Sequence, residues 1–401
     1  MATPKIRLKG FEGEWKQAKL GKLFKERNER DGNGEMLSVT MNEGIIKASD
    51  SGRYDNSSND KSNYKIVRQN DIAYNSMRMW QGASGNSPFN GIVSPAYTVI
   101  TPEKGTISTF FAILFKNNNV IHKFRTHSQG LTSDNWNLKF PAFSEIDVCY
   151  PKDESEQSAI ASYFQSLDTL IQTTGKKIES LKQMKAASLI SMFPQEGETT
   201  PKVRFKGFEG EWKKVKLGDC LEICNERNSE NKYGIDDVLS VSDEEGVCNQ
   251  IKLLGRSYAG KSVTGYKILK YNQIVYTKSP LKAKPFGIIK VNKGEVGIVS
   301  VLYAIYNTKD GISPDFIHYY FDPKFRINNY LLPLINKGAK NTMNISDEMS
   351  LKGEIIIPNS NEEQIKIANY FDKIESQITL HTQRLEKLKN IKAECLNKMF
   401  V

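Results

Sequence analysis

Apolar residues recur at heptad spacing along two long stretches, 153–193 and 360–400. The second stretch repeats the first, 207 residues later and without a gap, and both end in a Met-Phe pair. Because a heptad pattern lines one helix face with apolar side chains, such a helix needs a second long helix to cover it. We therefore predict two long helices that pair along a coiled-coil seam. The seam residues are Phe164, Leu167, Ile171, Ile178 and Leu181 in the first helix and Phe371, Ile374, Ile378, Leu385 and Leu388 in the second.

Both long stretches open with the pattern of a capping box, in which a short polar side chain and a glutamate three residues later cover free helix amides. The pairs are Asp153 with Glu156 and Ser360 with Glu363. A shared Gln, an Ile-Ala pair and a Tyr-Phe pair follow in each copy. The sequence thus predicts the same helix start twice.

A second repeat lies upstream of each helix. The segment from Pro4 to Trp15 recurs from Pro201 to Trp212, at an offset of 197 instead of 207. The second half is therefore ten residues longer, and the extra length lies between the two anchored repeats. The two copies therefore differ in sequence inside two blocks and agree in the motifs at the edges of these blocks.

The two blocks have the pattern of a mixed α/β fold, with short β-rich runs between turn residues and two helical stretches in the first block. Strands are predicted at 36–39, 65–67, 72–74 and 97–100, and again at 238–241, 267–269, 274–276 and 299–305. The predicted segments are a first block at 1–152, a helix at 153–193, a linker at 194–200, a second block at 201–359 and a helix at 360–401.

Charge suggests a partner for these blocks. The 401 residues carry a net charge of +10, with both halves basic, which favours a polyanion. No apolar run approaches the roughly 20 residues of a membrane span, and no signal peptide pattern follows Met1, so we expect a cytoplasmic protein without a membrane partner. The five cysteines and four histidines lack metal-ligand spacing, so we expect no metal site.

The duplicated layout resembles the specificity subunit of type I restriction-modification systems across the whole chain. The motifs that carry the resemblance are Arg-Phe-Lys-Gly-Phe-x-Gly-x-Trp at 204–212, with Leu for the first Phe at 7–15, and Glu-Gln-x-x-Ile-Ala-x-Tyr-Phe at 156–164 and 363–371. The resemblance implies two target recognition domains held apart by two long antiparallel coiled-coil helices and related by a pseudo-twofold axis. Each domain would read one half of a bipartite, asymmetric DNA target.

The same resemblance implies the partners. The helices would set the spacer between the half-sites and dock two methyltransferase subunits, which in turn recruit the restriction-translocase subunits. S-adenosylmethionine, ATP and Mg would belong to those partners, and this chain would bind no cofactor.

Catalytic patterns are weak in this sequence. Ser94-Pro95-Ala96-Tyr97 is the nearest approach to the motif with which DNA methyltransferases hold an amine, but its second proline is absent and no glycine-rich loop precedes it. No P-loop for ATP occurs either. We therefore expect a noncatalytic subunit. Two alternatives remain open, a self-contained DNA-modifying enzyme and a coiled-coil scaffold without nucleic acid.

Base readout in a DNA groove uses long polar side chains such as Arg, Lys, Asn and Gln. Each block offers two clusters of them at like places with different residues, as two half-sites of different sequence require. The candidates are Asn75, Arg78, Gln81, Asn86, Gln129, Thr132 and Asn135 in the first block and Lys278, Ser279, Lys282, Lys284, Lys337, Lys340, Asn341 and Asn344 in the second.

Overall fold

A computed structural model describes residues 3–41, 43–52, 57, 59–133, 135–278, 284–337 and 343–401. The chain forms two compact units, the first made of Met1–Gly175 with Thr382–Val401 and the second of Lys176–His381. Each unit therefore contains one block, the start of the long helix that follows it and the end of the other long helix.

The first unit is built from short strands, three short helices and a long helix that begins there. The strands are β1 Lys16–Lys19, β2 Phe24–Glu26, β3 Leu37–Val39, β4 Ile45–Lys47, β5 Lys65–Val67, β6 Ile72–Asn75, β7 Ser84–Asn86, β8 Gly91–Val93, β9 Tyr97–Pro102 and β10 Asp147–Tyr150. The helices are α1 Ser108–Leu114, α2 Asn118–His127, α3 Phe140–Ser144 and the long α4 Glu154–Ser191.

The second unit repeats this order. Its strands are β11 Lys213–Lys216, β12 Leu221–Ile223, β13 Leu239–Ser242, β14 Gly246–Asn249, β15 Lys267–Leu269, β16 Ile274–Thr277, β17 Ile288–Val291, β18 Gly297–Val299, β19 Tyr303–Thr308, β20 Asn336–Lys337, β21 Met343–Asn344 and β22 Glu354–Ile357. Its helices are α5 Leu217–Cys220, α6 Gln250–Leu254, α7 Pro314–Phe321, α8 Lys324–Leu331 and the long α9 Asn361–Lys398.

Both units share one sheet topology. A four-stranded antiparallel sheet has the order β2-β9-β6-β7 in the first unit and β12-β19-β16-β17 in the second. Three two-stranded pairs also correspond, β1-β10 with β11-β22, β3-β4 with β13-β14, and β5-β8 with β15-β18. The prediction of a mixed α/β fold with an internal duplication is therefore confirmed. None of the described helices combines the length and apolar character needed to cross a membrane.

One predicted strand is wrong. The run 299–305 is not continuous, because β18 ends at Val299 and β19 begins at Tyr303. The amide of Tyr303 donates to the carbonyl of Ser300 at 3.0 Å, which closes a turn between them. This turn moves the chain from the two-stranded pair with β15 to the four-stranded sheet with β16. Hydrophobicity alone did not reveal the turn, because Val301 and Leu302 are apolar yet exposed.

The end of α9 completes the core of the first unit. Met399 and Phe400 are buried in one cluster with Trp15, Phe110 and Phe164. The Phe400 ring centroid lies 5.6 to 6.2 Å from the centroids of those three rings. The amide of Ile6 also donates to the carbonyl of Lys398 at 3.0 Å, so the N-terminal segment is bound to the same helix end.

The end of α4 fills the equivalent place in the second unit. The Phe193 ring centroid lies 5.5 to 6.1 Å from those of Trp212, Phe316 and Phe371. The amide of Val203 donates to the carbonyl of Ser191 at 2.8 Å, as that of Ile6 does in the first unit. The Met-Phe repeat thus marks a reciprocal exchange of helix ends.

The repeated Arg and Glu of the two motifs form an ion pair in which the carboxylate is buried and the guanidinium is partly exposed. Arg7 Nε and Nη2 donate to the Glu156 carboxylate at 2.7 and 2.8 Å, and Trp15 Nε1 donates to the same carboxylate at 3.3 Å. Arg204 and Glu363 repeat the two guanidinium distances. The expected capping box is therefore only half formed, because each glutamate binds this arginine instead of reaching back to the helix start. A nearly buried carboxylate is stabilised more by a bidentate guanidinium than by one amide.

The predicted short caps are present. Asp153 Oδ1 accepts from the amide of Ser155 at 2.8 Å, and Ser360 Oγ accepts from that of Glu362 at 3.1 Å. The Ser313 side chain caps α7 by accepting from the amide of Phe316 at 3.3 Å. Asp153 and Ser360 therefore mark the helix starts that the sequence predicts.

The long helices pack together and run antiparallel within each unit. In the first unit Tyr163 bonds to Cys395 Sγ at 3.4 Å, and in the second Tyr370 bonds to Ser188 at 3.0 Å, at equivalent positions of the repeat. Of the seam positions, the buried ones are Phe164, Leu167, Ile178, Leu181, Phe371 and Ile374 and the half-buried ones are Ile171, Ile378, Leu385 and Leu388.

The reciprocal exchange predicts how half of the chain behaves. A fragment of residues 1–197 lacks Phe400, but its own Phe193 has the same place in the repeat. We expect two copies to exchange helix ends and form a closed twofold dimer. Sedimentation at micromolar concentration should show twice the fragment mass.

Two variants test the cause of this dimerisation. Phe193→Ala in the fragment should shift it towards monomer or aggregate, since truncation of a buried Phe costs roughly 3–5 kcal/mol. Leu170→Ala, which shortens an exposed leucine on the same helix, should leave the dimer intact. A stable monomer of the unmodified fragment would show that the two helix ends are not interchangeable.

Candidate nucleic-acid interface

The first cluster of the first unit is a turn between β6 and β7. Asn75 Oδ1 accepts from the amide of Met77 at 3.0 Å, and a short 3-10 helix at Met79–Gln81 follows. Met79 is fully buried and anchors the turn, whereas Arg78 and Gln81 are exposed. The fold thus leaves two long polar side chains on a fixed backbone.

The second cluster forms a hairpin at residues 129–137, of which Asp134 lies outside the described residues. Gln129 and Asn137 exchange backbone hydrogen bonds of 3.0 and 2.8 Å. Gln129, Thr132 and Asn135 are exposed, and Asn135 Nδ2 donates to Thr132 Oγ1 at 3.2 Å. The hairpin therefore presents its polar side chains to solvent.

The structure brings these two clusters together. The amide of Leu138 donates to the carbonyl of Ser76 at 2.8 Å, and the Trp80 and Trp136 rings meet edge to face with centroids 5.2 Å apart. Trp80 is half-buried, and its Nε1 donates to the carbonyl of Met77, so it acts as packing between the clusters. A cavity of about 480 Å³ lies there; its lining includes Asn75, Arg78, Gln81, Ser94, Tyr97 and Ser133.

Sequence reasoning missed three of these neighbours. Ser94 and Tyr97 belong to the run that was considered only as a failed methyltransferase motif, and they line the cavity instead. Arg125 lies over the Trp136 ring, 5.2 Å from its centroid. Its position near the end of α2 gave no sign of this, because only the tertiary fold brings the hairpin to that helix.

Asn86 does not join the other candidates. In the β6-β7 pair it lies opposite Ile72, at the end of the strand remote from Asn75. It lines a different cavity of about 740 Å³ beside the long helices, and its Nδ2 is buried without a hydrogen-bond partner among the described residues. Lys116 lines the same cavity and donates to the carbonyls of Met41, Gly82 and Ser84, while burial lowers its pKa to about 8.

In the second unit, two of the candidate lysines are already paired. Lys278 donates to Asp347, and Lys284 is buried with its Nζ 2.7 Å from Asp243. Burial by itself would raise the pKa of Asp347, but hydrogen bonds from Lys267 and Lys278 outweigh it and hold the pKa below its usual value. Both candidate lysines thus connect separate segments of the second unit.

The remaining candidates of the second unit are described only in part. Lys337 and Asn344 lie on the paired strands β20 and β21, in the place of the first unit's hairpin. Ser279, Lys282, Lys340 and Asn341 lie outside the described residues. The ion pair from Lys278 to Asp347 connects this candidate to the segment that follows β21. Contact of these candidates with DNA stays a prediction.

The family model for the type I restriction modification DNA specificity domain matches the sequence of this chain twice, at residues 12–183 and 209–390. The chain belongs to this family. Both matches begin at equivalent positions of the opening motif and end at equivalent positions of the long helices, so the family's domain is the repeat seen in the sequence. The chain is thus a DNA specificity component, and in this family that role is noncatalytic.

The chain is also similar to solved structures of type I restriction-modification specificity subunits. The S subunit of a type I restriction-modification system from M. genitalium is similar with a TM-score of 0.57 and 14% identity, over 100% of this chain and 99% of that chain. The HsdS subunit from Thermoanaerobacter tengcongensis has a TM-score of 0.46 and 14% identity, over 96% of both chains. The first likeness confirms the duplicated architecture of the specificity subunit.

The geometry of the first cluster generates a prediction. Arg78→Ala and Gln81→Ala should each weaken or relax recognition of one half of the DNA target, by roughly 1–3 kcal/mol if a bidentate base contact is lost. Both side chains are exposed, so folding should be unaffected. Binding of the assembled complex to duplexes altered in one half or the other measures the effect.

A matched control removes charge elsewhere on the same unit. Lys104 is exposed and lies outside both clusters, so Lys104→Ala should leave discrimination unchanged. If Arg78→Ala altered recognition of both halves equally, the assignment of one half-site to this unit would be wrong.

Proposed function

We propose that each unit of this specificity subunit reads one half of a bipartite, asymmetric DNA target. One observation carries the proposal. Two units of equal topology present clusters at like places, yet with different residues, amides and arginine in the first and lysines paired with aspartates in the second. Equal frameworks with different reading side chains fit two half-sites of different sequence.

The clusters suit DNA on chemical grounds. Arginine pairs with guanine and glutamine with adenine through two hydrogen bonds each in the major groove. The net charge of +10 favours the phosphate backbone, which supplies most of the affinity but little sequence information.

The partners follow from the family's place in a type I restriction-modification complex. We assign the exposed faces of the long helices and the repeated edge motifs to the docking of two methyltransferase subunits, one per repeat. Restriction-translocase subunits would join through them. S-adenosylmethionine, ATP and Mg would be bound by those partners and not by this chain.

Mapping of methylated adenines in DNA from cells that carry the complete system tests the proposal. A two-part target, separated by unspecified base pairs, is the expected result. Exchange of residues 1–152 with the block of a relative should change one part only. Labelled S-adenosylmethionine given to the purified chain alone should leave DNA unlabelled, and any transfer would favour the alternative of a self-contained enzyme.

The helices generate a further prediction, because α4 and α9 each run from one unit into the other. One added heptad in both, near residues 175 and 382, preserves the seam and lengthens the connection by about 10 Å, near 3 base pairs. Both half-sites should stay the same while the gap between them grows, as methylation mapping would show.

The control for this insertion breaks the register. Three extra residues in only one helix rotate its apolar face away from its partner, and the variant should lose stability or assembly. Full activity with an unchanged gap after the matched heptad insertions would refute the spacer role.

A further inference from the structure

The tip of the hairpin at residues 129–137 carries a leucine without any cover. Leu131 is fully exposed, the most exposed large apolar side chain among the described residues. Exposed apolar side chains on DNA-reading surfaces contact thymine methyl groups or wedge between bases. Because Leu131 lies in a candidate DNA interface, contact with DNA would explain why this apolar side chain is exposed.

The tip is held in a defined shape. Gly130 has φ +144, and a Cβ at this position would lie 2.6 Å from the carbonyl oxygen of Asn135. The amide of Asn135 donates to the carbonyl of Thr132 at 3.0 Å, which closes the turn. The backbone that carries Leu131 is thus set by local contacts that do not involve its side chain.

The hairpin is also fixed to the first cluster, through the Trp80–Trp136 contact and the Leu138–Ser76 hydrogen bond described above. Met77, in the turn of that cluster, is a second exposed apolar side chain, and Ser133 of the hairpin lines the shared cavity. Leu131 is therefore presented on the same surface as the candidate base-reading residues.

The neighbours of Leu131 favour DNA as its partner. Gln129 and Asn135 are exposed amides of the kind that binds adenine through N6 and N7. Arg125 and Lys139, just outside the hairpin, are exposed cations suited to phosphates. An adenine pairs with a thymine, whose C5-methyl group lies in the major groove beside those adenine atoms.

We propose that Leu131 contacts the C5-methyl group of a thymine in the half-site that the first unit reads. This inference rests on the proposed function. It adds the identity of one base pair in that half-site, since the hairpin would read an A·T pair by a methyl contact next to an amide contact. When Gly130 is aligned with Gly338, the second half has the shorter Ala339 in place of Leu131.

The test replaces thymines by deoxyuridine, which lacks only the methyl group. The complete complex, assembled with its methyltransferase subunits, is given duplexes with one thymine of the first half-site changed at a time. One such change should weaken binding roughly fourfold, the effect expected for one buried methyl group. The Leu131→Ala variant should bind the thymine duplex no more tightly than it binds the uracil duplex. Leu131→Met should restore most of the preference for thymine.

Two controls separate this inference from the proposed function. Leu254→Ala, which shortens an exposed leucine of the second unit, should retain the thymine preference in the first half-site. When uracil replaces thymine in the second half-site, the ratio of the affinities for the thymine and uracil duplexes should be the same for wild type and Leu131→Ala. A complex that binds all sequences alike would defeat the proposed function itself.

Three results would overturn the inference while the function stands. The first is a wild-type complex that recognises its target but is indifferent to uracil throughout the first half-site. The second is a Leu131→Ala variant that loses equal affinity for thymine and uracil duplexes, which would indicate a wedge between bases. The third is a Leu131→Ala variant that fails to assemble with the methyltransferase subunits, which would make Leu131 a protein contact.

Discussion

The core of each unit depends on an aromatic side chain that arrives from the other repeat. Phe400, at the end of the second long helix, packs among Trp15, Phe110 and Phe164 in the first unit. Phe193 does the same in the second unit. Loss of one such buried ring costs roughly 3–5 kcal/mol, a large part of the stability of a domain. Neither unit therefore has a complete core without a helix end from another repeat, whether that repeat belongs to the same chain or to a second copy.

The same constraint explains which parts of the sequence repeat. The opening motif supplies the arginine that pairs with the buried glutamate of the long helix, as Arg7 does with Glu156. One partner of such a pair cannot be lost cheaply, because the remaining charge would stay buried and unpaired. The ten extra residues of the second half lie between these anchors, inside the block. The framework is thus held by a few paired contacts, while the reading clusters between them are free to differ.

The candidate DNA-binding surfaces of the two units differ in physical character. In the first unit, aromatic packing holds a turn and a hairpin together, and exposed Arg78 and Gln81 project from them. In the second, lysines do part of that structural work, since Lys278 and Lys284 are paired with Asp347 and Asp243. A count of lysines therefore overstates the free positive charge of this surface. Ion pairs of this kind hold neighbouring segments of the chain in position.

The sequence by itself determined the duplication, the two long helices, the fold class and the family, because heptad spacing and repeated motifs are local patterns. It also singled out the two polar clusters of the first unit, which the structure brings together, while their contact with DNA stays a prediction. Only the tertiary structure decided that Glu156 binds Arg7 in place of its own helix start, that Lys284 is buried, and that Asn86 faces another cavity. These depend on which distant segment packs against a residue, and side-chain pattern along the chain does not contain that information.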